Sequence, residues 1–475
     1  MARNNGYCSF LDYLWPLHGG KFGLVLRRFH QSRGHGVWPV SQHTLVVGLG
    51  VTGQAVVRAL QSRQEPVRVV DDHPTELSRE TAKRLNVDYF EAPQGNQWAE
   101  LLNGCRQVVV SPGLPDAHPV FTQAKTSHVP ILDEFDLAQA WDDRPCCAVT
   151  GTNGKTTVVT LVVNMLAESG IKACAVGNTE IPLVAALDDQ ATERFVLEAS
   201  SFRLAHTQKF SAHPAAWLNF APDHLDLHQD LAAYQAAKAR IWEGLEEPVQ
   251  AIANLADPVV AAHAPAGATS FGTAEATCRL ENGWLVFDEQ QVVAISELPR
   301  RFLHDLANAQ AALALAMRFG ASVSGCAIAL RSFTGLPHRM QVVGEIDGVT
   351  FINDSKATTP HAVMSAAESF SELTLLVGGR NKGVDLSPLG SLAPTQVVAF
   401  GEAAKQMEAV FEKVCPVVVV SSLEEAVGQA ISVTKNEGTI LLSPGCTSFD
   451  HYDSYVQRGE DFIRLVQNHK EAKPA

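Results

Sequence analysis

The sequence predicts an α/β protein of three domains: a Rossmann-like unit first, a central P-loop-type mononucleotide-binding parallel sheet, and a second Rossmann-like unit last. Three observations carry this. Short apolar runs recur along the chain and end in Gly or polar residues, with Ala-rich helical patterns between them. Two of the run-to-helix junctions are glycine loops, Gly48-Leu-Gly-Val-Thr-Gly53 and Gly151-Thr-Asn-Gly-Lys-Thr-Thr157. The chain's 475 residues, 46% hydrophobic and 19% charged, suffice for roughly three domains of ordinary size with buried cores.

Residues 1–42 read as a basic arm outside the fold, with five cations (Arg3, Lys21, Arg27, Arg28, Arg33) against one acid, Asp12. Their apolar pieces are too short and interrupted for a secretory signal. The first domain is expected over 43–143. Thr44–Val47 reads as a buried strand, followed by the first glycine loop and a helix from Gln54 to Ser62. A second strand, Val67–Val70, ends at Asp71 and Asp72, near the spacing of a ribose-binding acid. Val108–Val110 then runs into the tight turn Ser111-Pro-Gly113. Taken alone, this glycine pattern fits NAD, another diphosphate-bearing ligand, or no ligand.

The second domain is expected over 144–336 and opens on the most informative stretch of the chain. The apolar run Cys146–Val149 leads into the second glycine loop, and a helical pattern follows from Val158 to about Ser169. Strand, glycine loop, Lys-Thr and helix together form a phosphate cradle: backbone N–H groups and the helix N-terminus attract the anion, Lys155 reaches the terminal phosphates, and a Thr hydroxyl binds Mg²⁺. The first Gly of the strict pattern is replaced by Val149. Phe195–Glu198 reads as a strand ending in a carboxylate, Ala215–Asn219 as a strand before Asp223-His224, Ala232–Leu245 as a helix carrying Lys238, and Ala307–Phe319 as a strong helix. Near a phosphate loop, Glu198 and His224 are plausible Mg²⁺ ligands; spacing alone favours the ordinary reading, an N-cap or salt-bridged surface acid for Glu198 and a satisfied loop histidine for His224. Periodicity gives Lys238 no role beyond a solvated helix lysine.

Gly335-Leu-Pro-His-Arg339 suggests a hinge into a third domain over 337–475. There, strands Val349–Ile352, Leu373–Val377, Val397–Phe400 and Thr439–Leu442 each end in Gly or polar residues, so ligands are expected beyond their carboxyl ends. Arg339 and Lys356, in hinge and strand-end segments, are placed to close onto a nucleotide held by the middle domain. Lys382, after a Gly-Gly turn, suits a carboxylate or is a solvated turn lysine.

Composition narrows the class further. A formal net charge of −14 argues against a nucleic-acid protein, which needs a basic stripe. Nine cysteines without C-x-x-C spacing suit a reducing cytoplasm and give neither a disulfide frame nor a zinc site. No apolar run is long enough to span a bilayer.

From about residue 43 onward the sequence resembles the Mur ligases, the amide ligases of peptidoglycan precursor synthesis. Thr150–Thr157, Leu197-Glu-Ala-Ser-Ser-Phe202, Asp223-His224 and Leu336-Pro-His-Arg339 carry the resemblance. Ile352-Asn-Asp-Ser-Lys-Ala-Thr358 and Leu442-Ser-Pro-Gly-Cys-Thr-Ser-Phe-Asp450 look like the branch that adds D-glutamate. The resemblance implies an ATP-dependent ligase acting through an acyl phosphate, a monomer with small-molecule substrates and no nucleic-acid partner or membrane insertion. It implies an ATP site of Gly151, Thr152, Asn153, Gly154, Lys155, Thr156, Thr157, Asn308, Arg339 and Asp354. The UDP-bearing substrate would meet Val51, Thr52, Asp71, Asp72, Gly113, Asn178, Ser200 and Ser201, and D-glutamate would meet Thr358, Lys382, Ser448 and Tyr455. Thr156 and Glu198 would hold one Mg²⁺, His224 and Lys238 a second, the lysine being carbamylated by carbon dioxide; Lys155, His224, Lys238 and Lys356 would be catalytic.

Several positions depart from the family pattern: Asp305 where an Asn meets the base, Thr179-Glu180 after Asn178, Thr359 in place of Asn, and His73 near a usual Arg. Three other readings compete. A folylpolyglutamate synthetase shares the phosphate loop but generally lacks the first domain. An NAD-dependent oxidoreductase leaves the second loop unexplained. A nucleotide-sensing regulator would use the same fold without catalysis.

Overall fold

The computed structural model describes residues 42–179, 181–224, 227–435 and 437–471. The basic arm, apart from Gln42, and the Glu180 departure lie outside the described residues.

Three sheets follow one another along the chain. The first holds β1 (His43–Val47), β2 (Val67–Asp71), β3 (Asp88–Glu91), β4 (Cys105–Val110) and β5 (Ile131–Leu132). Its spatial order is β3-β2-β1-β4-β5, all parallel. β1 is buried on both faces: Leu45 and Val47 enter one core, Val46 the other. The period-2 alternation of a strand requires this split, and it explains why β1 reads as an unbroken apolar run. The reversal of strand order beside β1 opens a crevice beyond the carboxyl ends of β1 and β4, where the glycine loop and the Ser111-Pro-Gly113 turn sit.

The second sheet holds β6 (Cys146–Thr150), β7 (Ala173–Gly177), β8 (Arg194–Glu198), β9 (Ala215–Trp217), β10 (Ala251–Asn254), β11 (Thr269–Phe271), β12 (Cys278–Glu281), β13 (Trp284–Phe287) and β14 (Gln290–Ala294). β12 through β7 run parallel in the order β12-β11-β10-β9-β6-β8-β7. The parallel sheet expected from sequence is corrected at its edge, where β13 and β14 are antiparallel. Asn282 and Gly283, both at positive φ, form the tight link that permits an antiparallel hairpin there. Two other elements are shorter than expected. β9 stops at Trp217 because Asn219 turns away to accept the Asn153 N–H (2.9 Å). The helix expected to Leu245 ends at Ala239, followed by a 3₁₀ turn whose Arg240 binds Thr207 O (2.6 Å) and whose Trp242 binds Ala215 O (3.0 Å). One face of this sheet carries the helices Lys155–Glu168, Leu303–Arg318 and Val323–Ser332. The other face shares a single apolar core with the first domain, in which Val46, Val56 and Phe135 pack with Ala148, Leu183 and Trp217.

A buried ion cluster reinforces that junction. Arg203 donates to Glu134 Oε1 (3.0 Å) and to Thr52 Oγ1 (2.9 Å), and its NH1 lies 3.7 Å from Asp133. Burial pushes both carboxyls up, and the guanidinium pulls them back toward the charged form. Glu134 also accepts the N–H groups of Leu183 and Val184. The first and middle domains therefore meet as one packed body.

The third sheet holds β15 (Gln341–Ile346), β16 (Val349–Asn353), β17 (Leu373–Gly378), β18 (Gln396–Phe400), β19 (Val417–Val419) and β20 (Thr439–Gly445). Its order is β15-β16-β20-β17-β18-β19, parallel except for β15. In β17, Leu375 and Val377 face the helices Pro360–Ala367 and Ala404–Phe411, while Leu376 faces Leu423–Val433 and Tyr455–Glu471. β20 continues past the expected end at Leu442 to Gly445, through a register shift against β17 that accommodates Pro444. Among the described residues no helix is long and apolar enough to cross a membrane.

Candidate active site

The phosphate loop leaves the carboxyl end of β6, the strand with β8 on one side and β9 on the other, and enters the helix Lys155–Glu168 at Gly154. Gly154 has φ +85, and a Cβ there would run into Asn308, so only glycine lets the loop pass. The loop backbone is tied to the neighbouring strand end, Thr152 N to Asn219 O (3.1 Å) and Asn153 N to Asn219 Oδ1. Lys155 curls over its own loop and donates to Gly151 O (2.8 Å) and Thr152 O (3.0 Å). Burial lowers its pKa, opposed by the carboxylates of Glu198 and Asp223.

Around this lysine the structure gathers a connected chain of polar groups. Thr156 donates to Glu198 Oε2 (2.8 Å), Asn178 Nδ2 to Glu198 Oε1 (3.3 Å), and Arg339 to Thr156 Oγ1 (3.0 Å). Lys238 joins through the same carbonyl that holds Lys155: its Nζ donates to Gly151 O at 2.9 Å. Only 1% exposed, Lys238 is not the solvated helix lysine that periodicity suggested. Burial, and then the like charge of Lys155, hold its pKa well below the ordinary lysine value. Tyr234 bridges to His224: its ring lies 4.7 Å from the Lys238 amine and edge-on to the His224 imidazole at 6.1 Å.

A cleft of about 370 Å³ lies between this loop and the third domain. It is lined by Asn153, Gly154, Thr157, Asn308, Arg339 and Asp354, all expected around ATP, and by Lys356. Asp354 accepts Met340 N–H (3.1 Å) and Ser443 O–H (3.0 Å), and burial pushes its carboxyl up to about 7. Lys356 stands 3.9 Å above the Tyr455 ring; burial, then repulsion from Arg339, brings it down to about 8. Asp305 pairs with Arg300 (3.0 Å), whose other nitrogen donates to Met340 O (2.8 Å), so this departure from the pattern braces the hinge.

The remaining candidates fall in two other places. At the strand ends of the first domain, Val51 is exposed, Thr52 is held by Arg203, Asp71 accepts from Tyr89, Asp72 meets His118 Nε2 (2.8 Å), and Gly113 turns at φ +89. Nearby, Ser200 stands just before the short helix Ser201–Leu204 without a side-chain cap bond, and Ser201 Oγ lies 2.9 Å from His228 Nε2. In the third domain, Lys382 follows β17 and sits 5.0 Å from the Phe449 ring, with buried Ser448 just beyond the adjacent β20. No hydrogen bond or ring contact links Thr358 to Lys382, Ser448 or Tyr455 among the described residues. Sequence reasoning missed Asn219, Arg203, Tyr234, His228, Arg300 and His361; of these only Asn219, a polar residue closing an apolar run, carried a local signal.

The fold and cleft are those of a Mur ligase, and the chain belongs to the Mur ligase family. Its residues 149–316 match the Mur ligase middle domain and 338–446 the Mur ligase glutamate ligase domain. Residues 42–133 match the N-terminal domain of the MurD-like branch. Among its relatives, UDP-N-acetylmuramoylalanine–D-glutamate ligase of Chromohalobacter salexigens is 35% identical over 90% of this chain and 98% of its own. The ligase of the same name from Nitrosococcus oceani is 33% identical over 90% and 97%. Among solved structures, the pseudomurein peptide ligase type C of Methanothermus fervidus superposes with a TM-score of 0.57 at 18% identity, over 90% of this chain and 100% of its own. UDP-N-acetylmuramate-alanine ligase MurC of Thermotoga maritima gives 0.54 at 19%, over 91% and 100%. Both share the fold.

Proposed function

We propose that this chain joins D-glutamate to UDP-N-acetylmuramoyl-L-alanine at the expense of ATP, as a cytoplasmic monomer with domains over 43–143, 144–336 and 337–475. The observation that carries the reading is the set of cations, Lys155, Arg339 and Lys356, gathered on one phosphate loop beneath a hinge. An oxidoreductase reading gives that set no task, and a folate-dependent ligase has no need of the first domain's strand-end acids.

The substrate's carboxylate oxygen bonds to the γ-phosphorus of ATP and the bond to the β-phosphate oxygen breaks, giving an acyl phosphate. The amine of D-glutamate then attacks the acyl carbon, loses a proton, and displaces phosphate. Three anionic partners must meet, so positioning and charge compensation dominate. Lys155 leaves its two loop carbonyls for the terminal phosphates, Arg339 reaches the same oxygens through its place at Thr156, and Lys356 closes from the third domain.

The donors present suit Mg²⁺. Thr156 hydroxyl and Glu198 carboxylate are hard oxygen ligands already side by side (2.8 Å). His224 and carbamylated Lys238 would supply the second position. Bound there, Mg²⁺ would supply charge neutralisation at the phosphate oxygens.

Phosphate release from ATP, measured with UDP-N-acetylmuramoyl-L-alanine and each amino acid in turn, tests the reading. Turnover with D-glutamate and none with L-glutamate is expected; folate-dependent turnover or NAD reduction without ATP overturns it. The pH profile carries a second expectation. Lys356, facing Arg339, Glu198, Lys155 and the Tyr455 ring, is cationic below about 8 and neutral above. Its attraction for phosphate is therefore lost as pH rises, and kcat/KM for ATP, which reports the free enzyme, falls above about 8. Lys356→Arg, permanently charged, should abolish that descending limb.

A further inference from the structure

We propose that His361 is a positioning residue: a latch that fixes the third domain on the phosphate loop through Asn153 and sets the geometry in which the bound partners meet. The inference rests on the ligase reading above. His361 is the second residue of the helix Pro360–Ala367, whose start is fixed by Pro360 at its first position. Its Nδ1 lies 2.6 Å from Asn153 Nδ2, across 208 residues of chain. With the amide donating, Nδ1 is the acceptor and the ring proton is on Nε2. Burial lowers the imidazole pKa and favours this neutral form.

The partner is well chosen for the task. Asn153 has its backbone clamped by Asn219 in both directions, N–H to Oδ1 at 2.9 Å and Nδ2 to O at 3.2 Å. A pull on its side chain is therefore transmitted to the loop itself. Arg339 grips the same loop on the other side of Lys155, at Thr156. The two contacts straddle the lysine, one two residues before it and one immediately after, and both come from the third domain. The hinge itself is already held by Arg300 at Met340 O and by Phe302 against the Phe370 ring. Arg339 follows that hinge closely in sequence, whereas His361 reaches the loop from the helix Pro360–Ala367, so its contact adds a further restraint on the domain's angle.

The test uses the full chain and four substitutions. His361→Ala deletes the acceptor and should lower kcat about tenfold with the KM for ATP little changed, as expected for a lost hydrogen bond that acts on geometry. His361→Asn puts an amide oxygen where Nδ1 was and should recover kcat to within about threefold, whereas His361→Gln, reaching one carbon further, should not. Small-angle scattering with a non-hydrolysable ATP analogue supplies a readout independent of turnover: His361→Ala should be more extended than the parent, and Asn153→Ala, which cuts the same bond from the other side, should match it. Parent-like kcat in the alanine variant, rescue by Gln as good as by Asn, or identical scattering of the parent and both alanine variants would each overturn the latch. Failure of the parent to release phosphate with D-glutamate would overturn the ligase reading instead and leave the scattering comparison to decide the latch.

Discussion

Lys155→Ala lowers kcat for D-glutamate-dependent phosphate release by about 10²–10³-fold, the usual cost of removing a preorganised group aimed at developing charge. The KM for ATP rises as well, while the KM for D-glutamate, which the proposed reading seats on the third domain, stays near the parent value. In the described structure the ammonium is satisfied by Gly151 O and Thr152 O. It is thus stored beside the phosphate site at the end of a flexible stem, and reaches the anion by exchanging two carbonyls for phosphate oxygens. Alanine at the first turn of the helix Lys155–Glu168 has high helix propensity, so the variant keeps its fold. Lys155→Arg should recover little: a planar fork does not fit where the half-buried ammonium sits under two carbonyls. Thermal unfolding close to the parent's, together with the kinetic loss, is the expected pair of results. A kcat within tenfold of the parent would mean that the loop amides and Arg339 carry the phosphate without it.

That loop was legible in the sequence, and the reason is local. Phosphate binding by a strand–glycine–helix junction needs consecutive residues, so Thr150–Thr157 announces itself. The same holds for β1, β17 and β18, buried on both faces and therefore continuous apolar runs. What was not legible depends on residues far apart in the chain. Lys238 reads as a solvated helix lysine because its burial is set by Tyr234 and by a loop 87 residues earlier. The antiparallel edge β13–β14 buries Leu285, Val286, Phe287 and Val293, but its runs are short and mixed and give a weak period. Arg203 is missed because its partners, Thr52 and Glu134, lie in other segments. Asp305 reads as a defect in the nucleotide pocket, whereas its pairing with Arg300 gives it a mechanical task at the hinge. The resemblance to a family named Lys238 and Glu198; periodicity alone did not.

Lys238→Ala abolishes turnover, by about 10³-fold or more if the carbamate holds the second Mg²⁺, and short carboxylic acids such as formate or acetate restore part of it. The chemistry follows from the amine's surroundings. Carbamylation needs a neutral amine, since only the free lone pair attacks carbon dioxide. Burial, and then the charge of Lys155, hold Lys238 well below its ordinary pKa, which favours the neutral amine. The same two influences pull in one direction. The Lys155 ammonium disfavours a second cation beside it and favours an anion there, so losing the cation and gaining the carbamate both relieve the site. With alanine in place, the space left by the side chain is open to a small carboxylate, whose two oxygens reproduce the metal-facing end of the carbamate. Rescue should therefore depend on acid size, with formate and acetate effective and bulkier acids inert. It should also require Mg²⁺. The free amine cannot play this part, because it donates to Gly151 O and has no oxygen to offer a metal. Loss of activity without rescue by any short acid would leave Lys238 as a buried prop for the loop carbonyl, and Lys238→Met, which fills the space without a donor, would then behave no worse than alanine.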